Sequence, residues 1–226
     1  MSAILWVLLR SRWQGTVIGG IMFTIIEKGG IVMIFILILS VVAAVIIIER
    51  LLFFRRIRGD EEKIIANLRG ALDQNHFYEA IAICEGDPTP MSNLMKVGIE
   101  HRFFSQAEIK EAIMGAANME VPGLEKYISM LGTIAHIAPL LGLLGTVTGN
   151  IEAFGILGTA GAIGDPGMLA SGISEALLTT AAGLIVSIPA TVFYNHLVSR
   201  VNHIILRMEN SVNELVLLLK GKDNAF

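Results

Sequence analysis

The sequence predicts an all-α integral membrane protein: three transmembrane helices with long cytoplasmic helical extensions, N-terminus outside and C-terminus inside. Three observations predict it. Of the 226 residues, 54% are hydrophobic and 16% charged, and the mean hydropathy is +0.66, whereas soluble domains carry about 25% charge. No Lys or Arg falls between Tyr127 and Ser199, while most of the charged residues lie between Glu49 and Lys126. Gly29 to Ile48, Tyr127 to Ile151 and Met168 to Tyr194 carry no charge or a single one, Glu175. At about 1.5 Å per helical residue each is long enough for a hydrocarbon core of about 30 Å. The net charge of −3 gives no reason to expect nucleic-acid binding. Cys84, the single cysteine, excludes an intramolecular disulfide and any multi-cysteine metal site.

Taken in order, residues 1–28 form a periplasmic or interfacial segment. Trp6 and Trp13 with Arg10 and Arg12 suit a short helix lying in the membrane interface. The segment lacks a basic n-region and an A-x-A site, so it does not read as a cleaved signal peptide, and Met22 is an alternative start. Residues 29–48 are the first span. Its Val/Ile content would favour a strand in water, but in lipid the backbone groups must pair within the segment.

Residues 49–126 read as a cytoplasmic helical domain. Ile64, Ile65, Leu68, Leu72, Phe77, Ile81 and Cys84 keep helical spacing over 61–84 until Gly86, Pro88 and Pro90 force a turn. Ser105 with Glu108 three residues on reads as a capping box opening another helix, with Ile109 and Ile113 on its apolar side and a kink expected at Pro122. Residues 127–157 are the second span, 158–167 an outer loop, 168–199 the third span and 200–226 a cytoplasmic C-terminal helix. The last keeps an apolar stripe at Val201, Ile204, Met208, Val212, Leu215 and Leu219. Orientation follows from Lys/Arg bias: Arg50, Arg55, Arg56 and Arg58 crowd the exit of the first span, and residues 152–174 have neither Lys nor Arg.

Spans two and three carry the functional signal. Gly142, Gly145 and Gly149 on the second and Gly183 and Pro189 on the third suit close helix packing. Pro139, Gly142, Thr146 and Asn150 share a face roughly 80° wide, and Glu175, Thr179, Thr180, Gly183, Ser187 and Thr191 an arc of roughly 160°. Polar groups on a membrane helix face protein or a water-filled cavity. A hydroxyl bonding its own i−4 carbonyl explains one threonine; it does not explain a stripe that contains a carboxylate. His136 is expected to be buried and hydrogen-bonded, and Glu152 and Asp165 to be solvated. No nucleophile–base set, phosphate loop or HExxH motif occurs, so neither an enzyme nor a bound metal or cofactor is expected.

Four segments together resemble the ExbB/TolQ/MotA family of proton-channel subunits, and within it the ExbB branch. They are Glu27–Gly30 through Ile48–Leu51; Ala138–Val147 (APLLGLLGTV); Gly172–Leu177 (GISEAL); and Gly183–Ala190 (GLIVSIPA) with Tyr194 and Asn195. Three spans favour the ExbB/TolQ branch over MotA. Thr148 stands where many ExbB and TolQ chains have tryptophan, which argues against TolQ. The resemblance implies a pentamer around a pore that holds an ExbD-like single-span partner dimer, in the inner membrane of a diderm bacterium. Proton flow would drive a TonB-like protein for outer-membrane import. Thr146 and Thr180 match the family's pore-lining threonines and Glu175 its third-span glutamate, with Thr179, Ser187 and Asn150 as further polar pore positions. The alternatives are a TolQ-like subunit for envelope constriction and a non-conducting membrane scaffold.

The orientation can be tested with a Cys84→Ser background. A cysteine at Gly161 is expected to react with an impermeant thiol reagent from outside, and one at Gln74 is not. The opposite pattern would invert the topology.

Overall fold

The computed structural model describes the backbone of residues 2–86, 89–160 and 166–223, and the side chains of 30–57, 66–86, 89–155, 167 and 169–219. Six helices account for the described chain: α1 (Ser2–Asp73), α2 (Phe77–Gly86), α3 (Pro90–Glu100), α4 (Gln106–Glu125), α5 (Ile128–Ala160) and α6 (Pro166–Asp223). Three of the described helices are long and apolar enough to cross a membrane, within Gly30–Ile57, Gln106–Gly155 and Leu169–Leu219. The interfacial contacts expected of Trp6, Trp13, Arg10 and Arg12 lie outside the described side chains, as do Asp165 and the centre of the outer loop.

The helices contribute to two compact units, Met1–Val45 with Met130–Val192, and Ile46–Ser129 with Phe193–Phe226. In the first, α1 departs from helical geometry at Gly30 (φ 59, ψ −161), a conformation open to glycine because it has no Cβ. Beyond that kink Met33, Ile36 and Ala43 are buried, while Ile31, Phe35, Ile38 and Val41 are exposed on the opposite side. A helix apolar all round but buried on one stripe has its remaining surface suited to lipid.

In the second unit the sequence-predicted helix over 61–84 is interrupted. α1 ends at Asp73, Asn75 adopts φ 62, and α2 begins at Phe77. Asn75 N donates to Leu72 O (3.0 Å) and His76 N to Ala71 O (2.9 Å), the paired bonds of a Schellman C-terminus. Asparagine tolerates that left-handed position, so the stop is local chemistry that an unbroken apolar period conceals. Leu68, Leu72 and Cys84 of the stripe are nevertheless buried, and burial pushes the Cys84 thiol up to about 11.

α3, a helix the sequence analysis did not single out, starts with Thr89 as N-cap accepting from Ser92 N (3.1 Å) and Pro90 in the first turn. It ends with the Arg102 guanidinium donating to Ile99 O (3.1 Å) and lying against the rings of Phe77 and Phe103. α4 opens with the complete Ser105–Glu108 capping box. Its Ile109 and Ile113 are buried with Leu94, Met95, Ile99 and the α6 stripe Val201, Ile204, Met208, Val212 and Leu215. Gly98 admits this packing, because a Cβ there would lie 2.6 Å from Leu215 Cδ2 and 2.9 Å from Ile113 Cδ1.

The break between α4 and the second span is not at Pro122, which lies inside α4. It falls at Lys126 (φ −48, ψ 131) and Tyr127 (φ 63), angles like those of the central pair of a type II turn. Sequence gives little warning, since glycine is the usual residue at the second position. At this junction Arg50, 2% exposed, donates to Gly123 O (3.2 Å) and Leu124 O (3.5 Å), two carbonyls of the last turn of α4.

The capping box yields a prediction. Hydrogen bonds from Ser105, through its side chain first and its backbone N–H second, hold the Glu108 carboxyl below its ordinary range. A depressed folded-state pKa gives stability that is present above the unfolded value and lost as pH falls through the folded one. Ser105→Ala is expected to cost about 0.5–2 kcal/mol and to flatten the acid side of the unfolding profile, measured by thermal unfolding followed by circular dichroism between neutral pH and the carboxylate range.

Candidate functional site

The helices α5 and α6 run antiparallel and close together. Ala138 meets Gly183, Gly142 meets Thr179 and Thr180, Gly149 meets Ala176, and Ala153 meets Gly172. A Cβ added at Gly142 would lie 3.0 Å from Thr180 Cα and 3.1 Å from Thr179 O, and one at Gly183 would lie 2.6 Å from Ala138 O. A Cβ at Gly145 would collide with the Thr179 side chain. The seam is thus a backbone-to-backbone approach that larger residues forbid, and these glycines serve it within a single chain. Pro189 lies inside α6 with its ring exposed, while its neighbour Ala190 is buried.

At that distance hydroxyls of α6 reach backbone carbonyls of α5. Ser187 Oγ donates to Ala135 O (2.7 Å), and Thr180 Oγ1 donates to Gly142 O (2.9 Å). The first bond has a specific cause. Ala135 O is the oxygen that the N–H of residue 139 would take in a regular helix, and residue 139 is proline, which has no N–H. Ser187 supplies the missing donor from the neighbouring helix. Thr179, 2% exposed, donates to Ala176 O (2.7 Å) and fills the seam.

Thr146 and Thr180 meet across the seam, Oγ1 to Oγ1, at 3.0 Å. Thr146 Oγ1 also lies 2.8 Å from Leu143 O, and because the two hydroxyls carry only two protons, two of the three bonds (to Leu143 O, to Gly142 O and to each other) form at a time in this short chain. Both threonines are half-buried, as is Asn150 one turn beyond Thr146. Each hydroxyl carries one proton and two acceptor positions, so such a chain offers a polar point beside which water or a partner group can be held.

Glu175 is not beside that pair. It lines a cleft of about 650 Å³ with Thr148, Glu152 and Ser171, closed on the α1 side by Gly30 and Ile31; neither Thr146 nor Thr180 lines it. Ser171 Oγ donates to Glu175 Oε1 at 3.5 Å. The polar arc of the third span is therefore divided. α5 packs along its middle, at Ala176, Thr179, Gly183 and Ser187, leaving Glu175 on one flank and Thr180 on the other. Glu152 is exposed, as expected, while Ser171 is a member of this cleft that the sequence analysis did not single out. The available signal was helical spacing, Ser171 to Glu175 and Thr148 to Glu152, each four apart.

Two further readings resolve differently from expectation. His136 is exposed rather than buried, its Nδ1 within 2.6 Å of Gly132 O on its own helix. Thr191 bonds Ser187 O (2.9 Å), its own i−4 carbonyl, so that member of the stripe is satisfied locally. Among the described residues no three of His, Cys, Asp and Glu converge as a metal site.

The Pro139–Ser187 relation is testable as a pair. Ser187→Ala is expected to destabilise the chain in detergent by about 1–3 kcal/mol by leaving a buried carbonyl without its donor. Adding Pro139→Ala restores an N–H for Ala135 O and should recover most of the loss in a double-mutant cycle. No recovery would mean that Ser187 acts by packing alone.

Comparison with known proteins follows the same helices. The chain matches the Tol-Pal system protein TolQ of Haemophilus influenzae at 41% identity over 104 residues, 46% of this chain and 45% of that protein. The match therefore takes in less than half of that relative's length. It matches a putative biopolymer transport protein, ExbB-like 1, of Synechocystis at 35% identity over 175 residues, covering 76% of this chain and 68% of the relative. The biopolymer transport protein ExbB of Aquifex aeolicus is 37% identical over 115 residues, 51% of this chain and 76% of the relative. The model of the MotA/TolQ/ExbB proton channel family matches residues 87–210, which include α3 to α5, the seam, both threonines and Glu175. The chain belongs to the MotA/TolQ/ExbB proton channel family.

Proposed function

We propose that this protein is an ExbB-like subunit of an inner-membrane motor, driven by the proton-motive force, that energises a TonB-like protein for outer-membrane import. The observation that carries it is the Thr146–Thr180 hydroxyl pair on one flank of the α5–α6 seam in a chain of this family. The orientation is N-terminus outside, on the Lys/Arg bias, with residues 49–126 and 200–226 in the cytoplasm. The subunits form a pentamer whose pore holds an ExbD-like partner dimer, with Thr146, Thr180 and Asn150 turned to that pore. Glu175 serves from the α1-side cleft. In this reading the chain moves charge and transmits force without making or breaking covalent bonds.

The energy scale supports the reading. One proton charge crossing 100 mV releases about 2.3 kcal/mol, and several per cycle suffice to turn a helix bundle. The hydroxyl pair steadies a partner carboxyl or its water while the charge is briefly neutralised. A TolQ-like role in envelope constriction is the second reading, favoured by the 41% identity to a TolQ protein. Neighbouring genes, ExbD/TonB-like or TolR/TolA-like, separate the two.

Thr180→Val keeps the side-chain shape and removes the hydroxyl that bonds Gly142 O and Thr146. It is expected to give an assembled complex that cannot couple to the proton gradient, with the unserved polar group costing about 1–3 kcal/mol. Thr180→Ser should retain much of the activity. The assay is energy-dependent uptake in cells lacking the native subunit, with assembly followed by native mass spectrometry. Full uptake by correctly assembled Thr180→Val would return the stripe to packing and favour a non-conducting scaffold.

A further inference from the structure

We infer that Arg50 is a positioning residue that holds α4 and α5 apart as two helices by serving the carbonyls that the break between them leaves open. In an uninterrupted helix the carbonyls of Gly123 and Leu124 would accept from the N–H groups of Tyr127 and Ile128, four residues on. Here Arg50 Nη1 donates to those same two oxygens, at 3.2 and 3.5 Å. A carbonyl has two lone pairs, so the guanidinium does not bar a backbone N–H; it serves these two oxygens where the turn has carried the Tyr127 and Ile128 N–H groups away, which offsets the cost of the break. One guanidinium thereby does for α4 what a glycine C-terminal motif does elsewhere.

The surroundings show a site built for that cation. Arg50 is 2% exposed, and a buried arginine persists only when paired and hydrogen-bonded. Glu49 takes its Nε at 2.7 Å, Phe53 lies 4.8 Å from the guanidinium carbon and Tyr127 5.5 Å. Tyr127 is thus both the strained residue, at φ 63, and one of the rings against the clamp. A residue with a Cβ seldom adopts that conformation, so without Arg50 the junction gains by returning Lys126 and Tyr127 to helix. The sequence holds no glycine at 126 or 127 to make the break on its own. The break is therefore supplied by α1, and through it α1 sets where α5 begins. The clamp operates whatever the complex conducts, so its test is independent of the proposed coupling role.

The experiment is amide hydrogen exchange, resolved to single residues, on the full chain in phospholipid nanodiscs. In Arg50→Met the Tyr127 and Ile128 amides are expected to slow about tenfold or more as they take over the freed carbonyls. Arg50→Lys, which keeps the charge but neither the planar fork nor the ring contacts, should fall between and carries the test if Arg50→Met does not fold. Arg50→Met combined with Tyr127→Gly should return exchange towards wild type, because glycine holds the positive φ without help. Unchanged exchange at Tyr127 and Ile128 in a folded Arg50 variant would overturn the inference. So would a general speeding along α4, which would mark Arg50 as ordinary support.

Discussion

The close approach of α5 and α6 is the constraint on which the membrane-type unit depends. Inside hydrocarbon each backbone polar group must find a partner within the protein, and Pro139 removes one donor from α5. The remedy, Ser187 to Ala135 O, is available only because Gly142 and Gly183 let the two backbones come within reach. Packing and hydrogen bonding are here one requirement. The glycines bring α6 near enough for its hydroxyls to act on α5, and those hydroxyls in turn hold the register that keeps glycine opposite small residues.

That geometry also sorts the polar stripe. Thr179 and Ser187 turn inward and serve the seam, Thr191 bonds its own helix, and Thr146 with Thr180 forms a hydroxyl chain on one flank. Glu175 stands on the other flank with Thr148, Glu152 and Ser171 around a cleft. A carboxylate and a hydroxyl pair on opposite sides of one helix pair meet different surroundings: one beside α1, the other beside whatever occupies the opposite flank.

The remaining unit is organised by helix ends. Thr89 and Ser105 start α3 and α4 with side-chain oxygens, Asn75 stops α1, and arginines close α3 and α4. Both arginines lie against aromatic rings, Arg102 with Phe77 and Phe103 and Arg50 with Phe53 and Tyr127. A guanidinium suits this work because its flat face stacks while its edge donates. The core beneath, with Leu94, Ile99, Ile109, Ile113, Met208 and Leu215, is the part that apolar periodicity alone predicts.

The sequence by itself determined what depends on neighbours along the chain. The spans follow from charge-free length, the capping box from Ser105 and Glu108, the seam from glycines at helical spacing, and the family from four short segments. It also placed Thr146, Thr180, Thr179, Ser187 and Glu175 on polar faces, because 100° per residue is a property of any helix. Only the tertiary structure decided how those faces divide, since the helical wheel does not say where α5 lies along the arc between Glu175 and Thr180. It likewise moved the kink from Pro122 to Tyr127. The proline costs α4 a local hydrogen bond that the chain tolerates, whereas the break needs a donor from α1, and Arg50 reaches Gly123 and Leu124 across 73 and 74 residues of sequence.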